Sequence, residues 1–137
     1  MRKSTILFAI LVATAAAPSS AANWVRHGSS TSGAGVFIDS ASIIRNGGVI
    51  GVWIKFDNST LTARKPTDPT KVLNHFEFKC LTKELRITDA VEYDAQGGNT
   101  ATEGSPATPF RPFIPDSIGE EVGRFVCEIY EKPATKK

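Results

Sequence analysis

The sequence is poor in the residue types that usually carry chemistry. It holds two cysteines, two histidines and one methionine in 137 residues. Two cysteines without a matched spacing to histidine make a poor metal site. No nucleophile elbow and no paired-histidine zinc motif is present. The residues therefore call for no enzyme chemistry, metal or cofactor. An excess of charge is missing too. The chain carries 16 Lys and Arg against 14 Asp and Glu, and Arg2 and Lys3 account for the difference. With residues 1–22 set aside the balance is 14 of each, so nothing electrostatic points to nucleic acid.

A long apolar run is also absent. The Thr5 to Ala17 stretch is shorter than the roughly 20 residues a bilayer-spanning helix needs. It follows the basic start Met1-Arg2-Lys3-Ser4 and precedes the small residues Pro18-Ser19-Ser20-Ala21-Ala22. This is the layout of a cleaved secretory signal, with Ser20 and Ala22 at the small positions of the cleavage site. The expected organisation is a signal over residues 1–22, one domain over 23–131 and a flexible basic tail over 132–137. Export to the periplasm or beyond follows, with no integral membrane segment after cleavage. No cysteine lies in or near the signal, so no lipidation site is expected. In an exported chain, Cys80 and Cys127 favour one disulfide over two free thiols or a metal pair. The bridge closes a loop of 48 residues, for which chain entropy gives roughly 4 kcal/mol.

What is present is alternation. His75-Phe76-Glu77-Phe78-Lys79-Cys80 has the period of a half-buried strand, with Phe76, Phe78 and Cys80 on one face. Val49 to Asp57 alternates as clearly, setting Val52, Ile54 and Phe56 against Trp53, Lys55 and Asp57. Asn46-Gly47-Gly48 before it is a hairpin signal. Further strands are expected at Asn23–His27, Val36–Asp39 and Glu84–Tyr93. In the last, Leu85, Ile87, Asp89, Val91 and Tyr93 share a face unless Asp89 marks a bulge. Asn58–Lys71 and Asn99–Pro112 read as loops, and Phe110–Pro115 adds at most a short edge strand. Ser117 with Glu120 forms a capping box that opens a helix with the apolar stripe Ile118, Val122, Phe125, Val126 and Ile129. On an ideal helix Cys127 points away from that stripe, so the helix is expected to end near Phe125. The expected fold class is α+β: an antiparallel β-sheet of five to six strands, one C-terminal helix on one face and one disulfide.

Candidate contact residues lie on the polar sides of the two clear strands: Trp53, Lys55, His75, Glu77 and Lys79. Trp53 suits a contact surface if its face is open, and is ordinary if something covers that face. His27 and His75 fall on the non-core side of their strands and are expected to sit close enough to meet only if the sheet brings them together.

The landmarks together resemble the surface-adhesin protein E family of bacterial envelope proteins. They are Trp24, Val36-Phe37-Ile38-Asp39 with Ser42-Ile43, Val52-Trp53-Ile54-Lys55-Phe56 and Phe78-Lys79-Cys80. Tyr93-Asp94-Ala95-Gln96-Gly97, Phe113-Ile114-Pro115-Asp116-Ser117-Ile118-Gly119-Glu120 and Val126-Cys127 complete the order. The resemblance implies an antiparallel sheet with a helix on one face. It also implies a protein-binding, adhesin-like role toward host extracellular-matrix or plasma proteins. The family's adhesin is lipid-anchored, whereas this chain lacks the cysteine for that. A periplasmic accessory or small-ligand-binding role is the alternative. Exposed strand edges also leave room for self-association.

Overall fold

The computed structural model describes residues 21–104 and 108–130. The expected signal, except its last two residues, and the expected tail at 132–137 lie outside them.

Nine backbone segments build the fold after Asn23. They are the strands β1 (Trp24–Ser29), β2 (Gly35–Asp39), β3 (Ile44–Asn46), β4 (Val49–Asp57), β5 (Lys71–Lys79), β6 (Glu84–Tyr93), β7 (Asn99–Gly104) and β8 (Arg111–Pro112), and the helix α1 (Ile118–Tyr130). A single 3-10 turn, Ser40–Ser42, joins β2 to β3. All pairings are antiparallel, and the main path runs β1-β2-β4-β5-β6-β7. The six-strand path agrees with the expected sheet. The two short strands lie alongside it: β3 shares an edge of β4 with β2, and β8 shares an edge of β6 with β7. The β3–β4 hairpin turns through Gly47 and Gly48, both at positive φ (55° and 83°), as a tight two-residue turn requires.

One sheet face is aliphatic and aromatic. Val36, Ile38, Ile50, Val52, Ile54, Phe76 and Phe78 line it, and α1 covers it with Val122 and Val126. Phe78 sits at its centre, fully buried, stacked on Phe76 at 5.7 Å and meeting Phe113 edge-on at 6.1 Å. The helix comes close because two of its inward positions are glycine. A methyl group on Gly123 would lie 2.6 Å from the Phe113 ring, and one on Gly119 would lie 2.8 Å from Leu85. The helix opens as expected: the Glu120 N–H donates to Ser117 Oγ at 3.2 Å. The Glu120 carboxylate reaches back one residue further than the usual box, accepting from the Asp116 N–H at 2.9 Å.

Cys80 and Cys127 are bridged, with their Cα atoms 5.5 Å apart. The expectation that the helix stops near Phe125 is wrong, since α1 continues to Tyr130 with Cys127 inside it. The stripe had been drawn without its glycines. At about 100° per residue, the residues actually buried, Val122, Gly123 and Val126, centre roughly a sixth of a turn closer to Cys127 than that stripe does. The cysteine then flanks that face, and Ile129 is left 49% exposed.

Two further expectations change. Asn99–Gly104, read as loop, pairs along β6 as an edge strand. The pairing is made by the backbone ladder, so it does not require an apolar alternation in the sequence. In β6 the bulge alternative is the right one. His75 pairs with Asp89 while its neighbour Phe76 pairs with Ile87, leaving Thr88 as the extra residue. Leu85 and Ile87 therefore face the helix side, and Asp89, Val91 and Tyr93 face the other.

Candidate functional site

The sheet face away from the helix gathers all five candidate contact residues. Register explains why. Residues paired across antiparallel strands project to the same side. Trp53 pairs with His75 and His75 with Asp89; Lys55 pairs with Leu73 and Leu73 with Val91. On one side of these rows lie Asp57, Lys71 and Tyr93; on the other lie Glu77 with Arg86 and Lys79 with Glu84. Phe37 extends the Lys55 row onto β2, and Arg26 extends it onto β1.

Lys55, Lys71, Lys79, Arg86, Glu77 and Asp57 on this face are each held by a neighbour. The Lys55 ammonium lies 4.4 Å from the Phe37 ring centre and 4.8 Å from that of Trp24. Lys71 lies over Tyr93 at 4.3 Å, and Lys79 over Phe110 at 4.1 Å. Arg86 shares the Phe110 ring at 4.5 Å and grips one oxygen of Glu77 through Nε and Nη2, both at 2.6 Å. These are cation–π contacts and a charge-assisted pair, stronger where water is partly excluded. Asp57 accepts from the Ser59 hydroxyl at 2.6 Å and from the Ser59 N–H at 3.0 Å. Those two bonds, then Lys55 and Lys71, hold its carboxyl below the ordinary carboxylate range against a small opposing effect of burial.

Trp53 is half-buried. His75 tilts against it at 5.3 Å, and the backbone N–H of Trp53 donates to Ser42 Oγ at 2.9 Å. His75 is fixed in turn by Thr88, whose Oγ1 lies 2.7 Å from Nδ1. The absence of a side chain at Gly51 makes room for the imidazole; a Cβ there would lie 3.2 Å from it. Trp53 is thus part of a flat, filled surface and not a projecting anchor.

His27 and His75 do not meet. Alternation along β1 puts His27 on the same side as Val25, which pairs with the core residue Ile38, and so on the helix side. There its ring packs on Phe125 at 4.7 Å, and Nε2 lies 3.4 Å from the Glu121 carboxylate. The two imidazoles sit on opposite faces of the sheet, so an acid–base or metal pair between them is ruled out by geometry. Among the described residues, no three His, Cys, Asp or Glu side chains converge as a metal site.

Sequence reasoning did not single out Phe37, Tyr93, Phe110 or Arg86, which hold the charges in place. Phe110 precedes β8, which runs along the edge of β6, and Phe113 follows it. Phe110 lies on the outer face and Phe113 against Phe78 on the core face, so this short segment wraps the sheet edge. The Phe-Arg-Pro-Phe spacing around two prolines was the available signal.

Comparison with known proteins places the chain. The family model described as surface-adhesin protein E matches residues 24–128. The fold is similar to the structure of Haemophilus influenzae protein E in its crystal form II, at 17% identity and a TM-score of 0.58, covering 86% of this chain and all of that one. Another structure of Haemophilus influenzae protein E gives 14% identity and a TM-score of 0.56, covering 89% of this chain and 96% of that one. Protein E from non-typeable Haemophilus influenzae gives 14% and 0.53, covering 86% and 84%. At these identities the structural likeness speaks for the fold alone. No curated protein matches the chain in sequence.

Proposed function

The chain belongs to the surface-adhesin protein E family, and from that membership we propose that it is an exported, non-enzymatic envelope protein that binds other proteins through the outer face of its sheet. The observation that supports this most is the ordering of that face. Lys55, Lys71, Lys79 and Arg86 are each held over an aromatic ring. Immobilising a free, rotamer-rich side chain on binding costs about 0.5–1.5 kcal/mol. Side chains already held lose less, so the face is prepared for a partner. Trp, Tyr and Arg, the types enriched at binding hot spots, are present on it in Trp24, Trp53, Tyr93 and Arg86. The partners that the family's character suggests are host extracellular-matrix or plasma proteins.

The test has two parts. Cells expressing the protein should bind immobilised matrix and plasma proteins, and surface labelling should reach the chain. Replacing Lys55 and Lys71 by Gln should reduce that binding about tenfold or more, on the scale of hot-spot losses, while circular dichroism shows the fold retained with only a small loss of melting temperature. Protein confined to the periplasm, on cells that bind no matrix protein, would sink the reading. The periplasmic, small-ligand alternative draws on one feature. An apolar groove of about 440 Å³ lies between β1 and the helix, lined by Val25, Ile38, Phe125 and Tyr130. Small-molecule sites are concave and mostly apolar in this way.

A further inference from the structure

We propose that one end of the molecule, formed by the β5–β6 turn and the segment leading into α1, docks on the surface of an anionic lipid bilayer. Leu81 stands at that turn with 91% of its surface exposed, and Ile114 is 70% exposed. They are neighbours by construction. The Phe113 N–H donates to the Lys83 carbonyl at 2.9 Å, which ties the helix-entry segment to the turn. Phe113 turns inward onto Phe78, in the space left by Gly123. The residues beside it, Pro112 and Ile114, are therefore left outward. The turn itself is firm, because the Cys80–Cys127 bridge fixes its first residue to the helix.

Cations surround these two apolar tips. Lys83, Arg111 and Arg124 are exposed around the turn and its adjoining cleft. A second, smaller cleft beside Cys80 brings in Arg45, and Lys79 ends β5. The carboxylates at this end are Glu84, Asp116, Glu120 and, in the cleft that Arg124 shares, Glu121. Glu84 accepts from the Thr82 hydroxyl at 2.6 Å, and Glu120 is engaged with the helix start and with Arg124 at 3.8 Å. Five cations thus stand against four carboxylates, two of them engaged, on a chain that is otherwise balanced once its basic start is set aside.

The size of the patch selects the occupant. Two projecting side chains fall far short of the roughly 800 Å² per partner of a stable protein interface. A bilayer asks for less. It gains from each apolar side chain placed at the headgroup boundary and from each cation near anionic lipid.

The test is co-sedimentation of the purified protein with sucrose-loaded vesicles, every variant compared in the same processed form. Vesicles containing phosphatidylglycerol should carry the protein down, and pure phosphatidylcholine vesicles should carry less. Leu81→Asp combined with Ile114→Asp should lower partitioning about tenfold or more. Lys83→Gln and Arg111→Gln should each lower it about fivefold on the anionic vesicles only. Neither pair touches the core, so melting should match the parent chain. Leu81→Trp supplies an independent readout: its emission, less that of the parent chain, should shift to the blue when anionic vesicles are added. A parent chain that stays in the supernatant, variants that sediment like it, or an unshifted emission from the Leu81→Trp variant would each overturn the proposal.

Discussion

The two faces of the sheet are built from the same strands and hold together by different means. Phe76 and Phe78 of β5 point one way; His75, Glu77 and Lys79 point the other. The helix face is dry and aliphatic and requires a lid. That lid is fitted by two glycine notches and pinned by a covalent bridge. The outer face also carries large rings, in Trp24, Phe37, Trp53 and Tyr93, yet in the described residues its rings and charges cover one another pairwise. An apolar side chain beside another apolar side chain gains only by excluding water. A lysine over a ring gains from the ring's field and still keeps part of its hydration. Such a face remains accessible without being sticky, which suits the binding role proposed for it.

If the contrast is right, equal truncations should have unequal effects. The largest is expected at Phe78, fully buried against Phe76, Phe113 and the helix. Phe78→Ala should cost about 3–5 kcal/mol, from lost burial and the cavity left behind. Chemical denaturation with the disulfide intact measures it. A cost under about 1 kcal/mol would mean that the helix collapses into the space and is no fixed lid.

The outer face should respond less, and through pairs. Glu77 and Arg86 are both partly buried, and each is 23% exposed in its side chain. Removing either leaves the other charge half-desolvated, although Arg86 keeps the Phe110 ring and the Thr108 carbonyl as partners. A double-mutant cycle of Glu77→Gln and Arg86→Gln should give a coupling of about 1 kcal/mol, near the upper end for pairs open to solvent. A coupling of several kcal/mol would erase the distinction between the faces.

Much of this was legible in the sequence where the chain keeps its period. Alternation placed Phe76, Phe78 and Cys80 on the core and put Trp53, Lys55, His75, Glu77 and Lys79 together on the other side. Asn46-Gly47-Gly48 announced its turn, and Ser117 with Glu120 announced the helix. The failures have local causes. The bulge at Thr88 adds one residue and reverses the facing of all that follows in β6, and no residue signature marks it. His27 was misplaced because β1 is too short and polar to show which of its sides is the core side, which Val25 against Ile38 decides. Gly119 and Gly123 contribute to the buried stripe by being absent from the space, so a count of apolar side chains misses them. The edge strand β7 rests on backbone hydrogen bonds, which any sequence free of proline can make. The rings that hold the lysines were hidden for another reason. Which ring meets which lysine depends on register between distant strands, and periodicity within one strand cannot supply that.

The smallest effect tests the outer face by pH. Asp57 lies on it, held by Ser59 and flanked by Lys55 and Lys71. Its carboxyl is lowered in the fold relative to an unfolded value of about 3.9. A depressed carboxyl stabilises the fold above its unfolded pKa, and that contribution is lost as pH falls through the folded value. Asp57→Asn keeps an oxygen for the Ser59 donors and removes only the charge. It should therefore lower stability at neutral pH by less than about 1 kcal/mol, since the site is open to solvent. The difference from the parent chain should shrink below about pH 4 and vanish once Asp57 is protonated. Paired melts from neutral to strongly acid pH measure it. A deficit that persisted unchanged in acid would trace to altered hydrogen bonding at Ser59, and the lysines would then owe their positions to the rings alone.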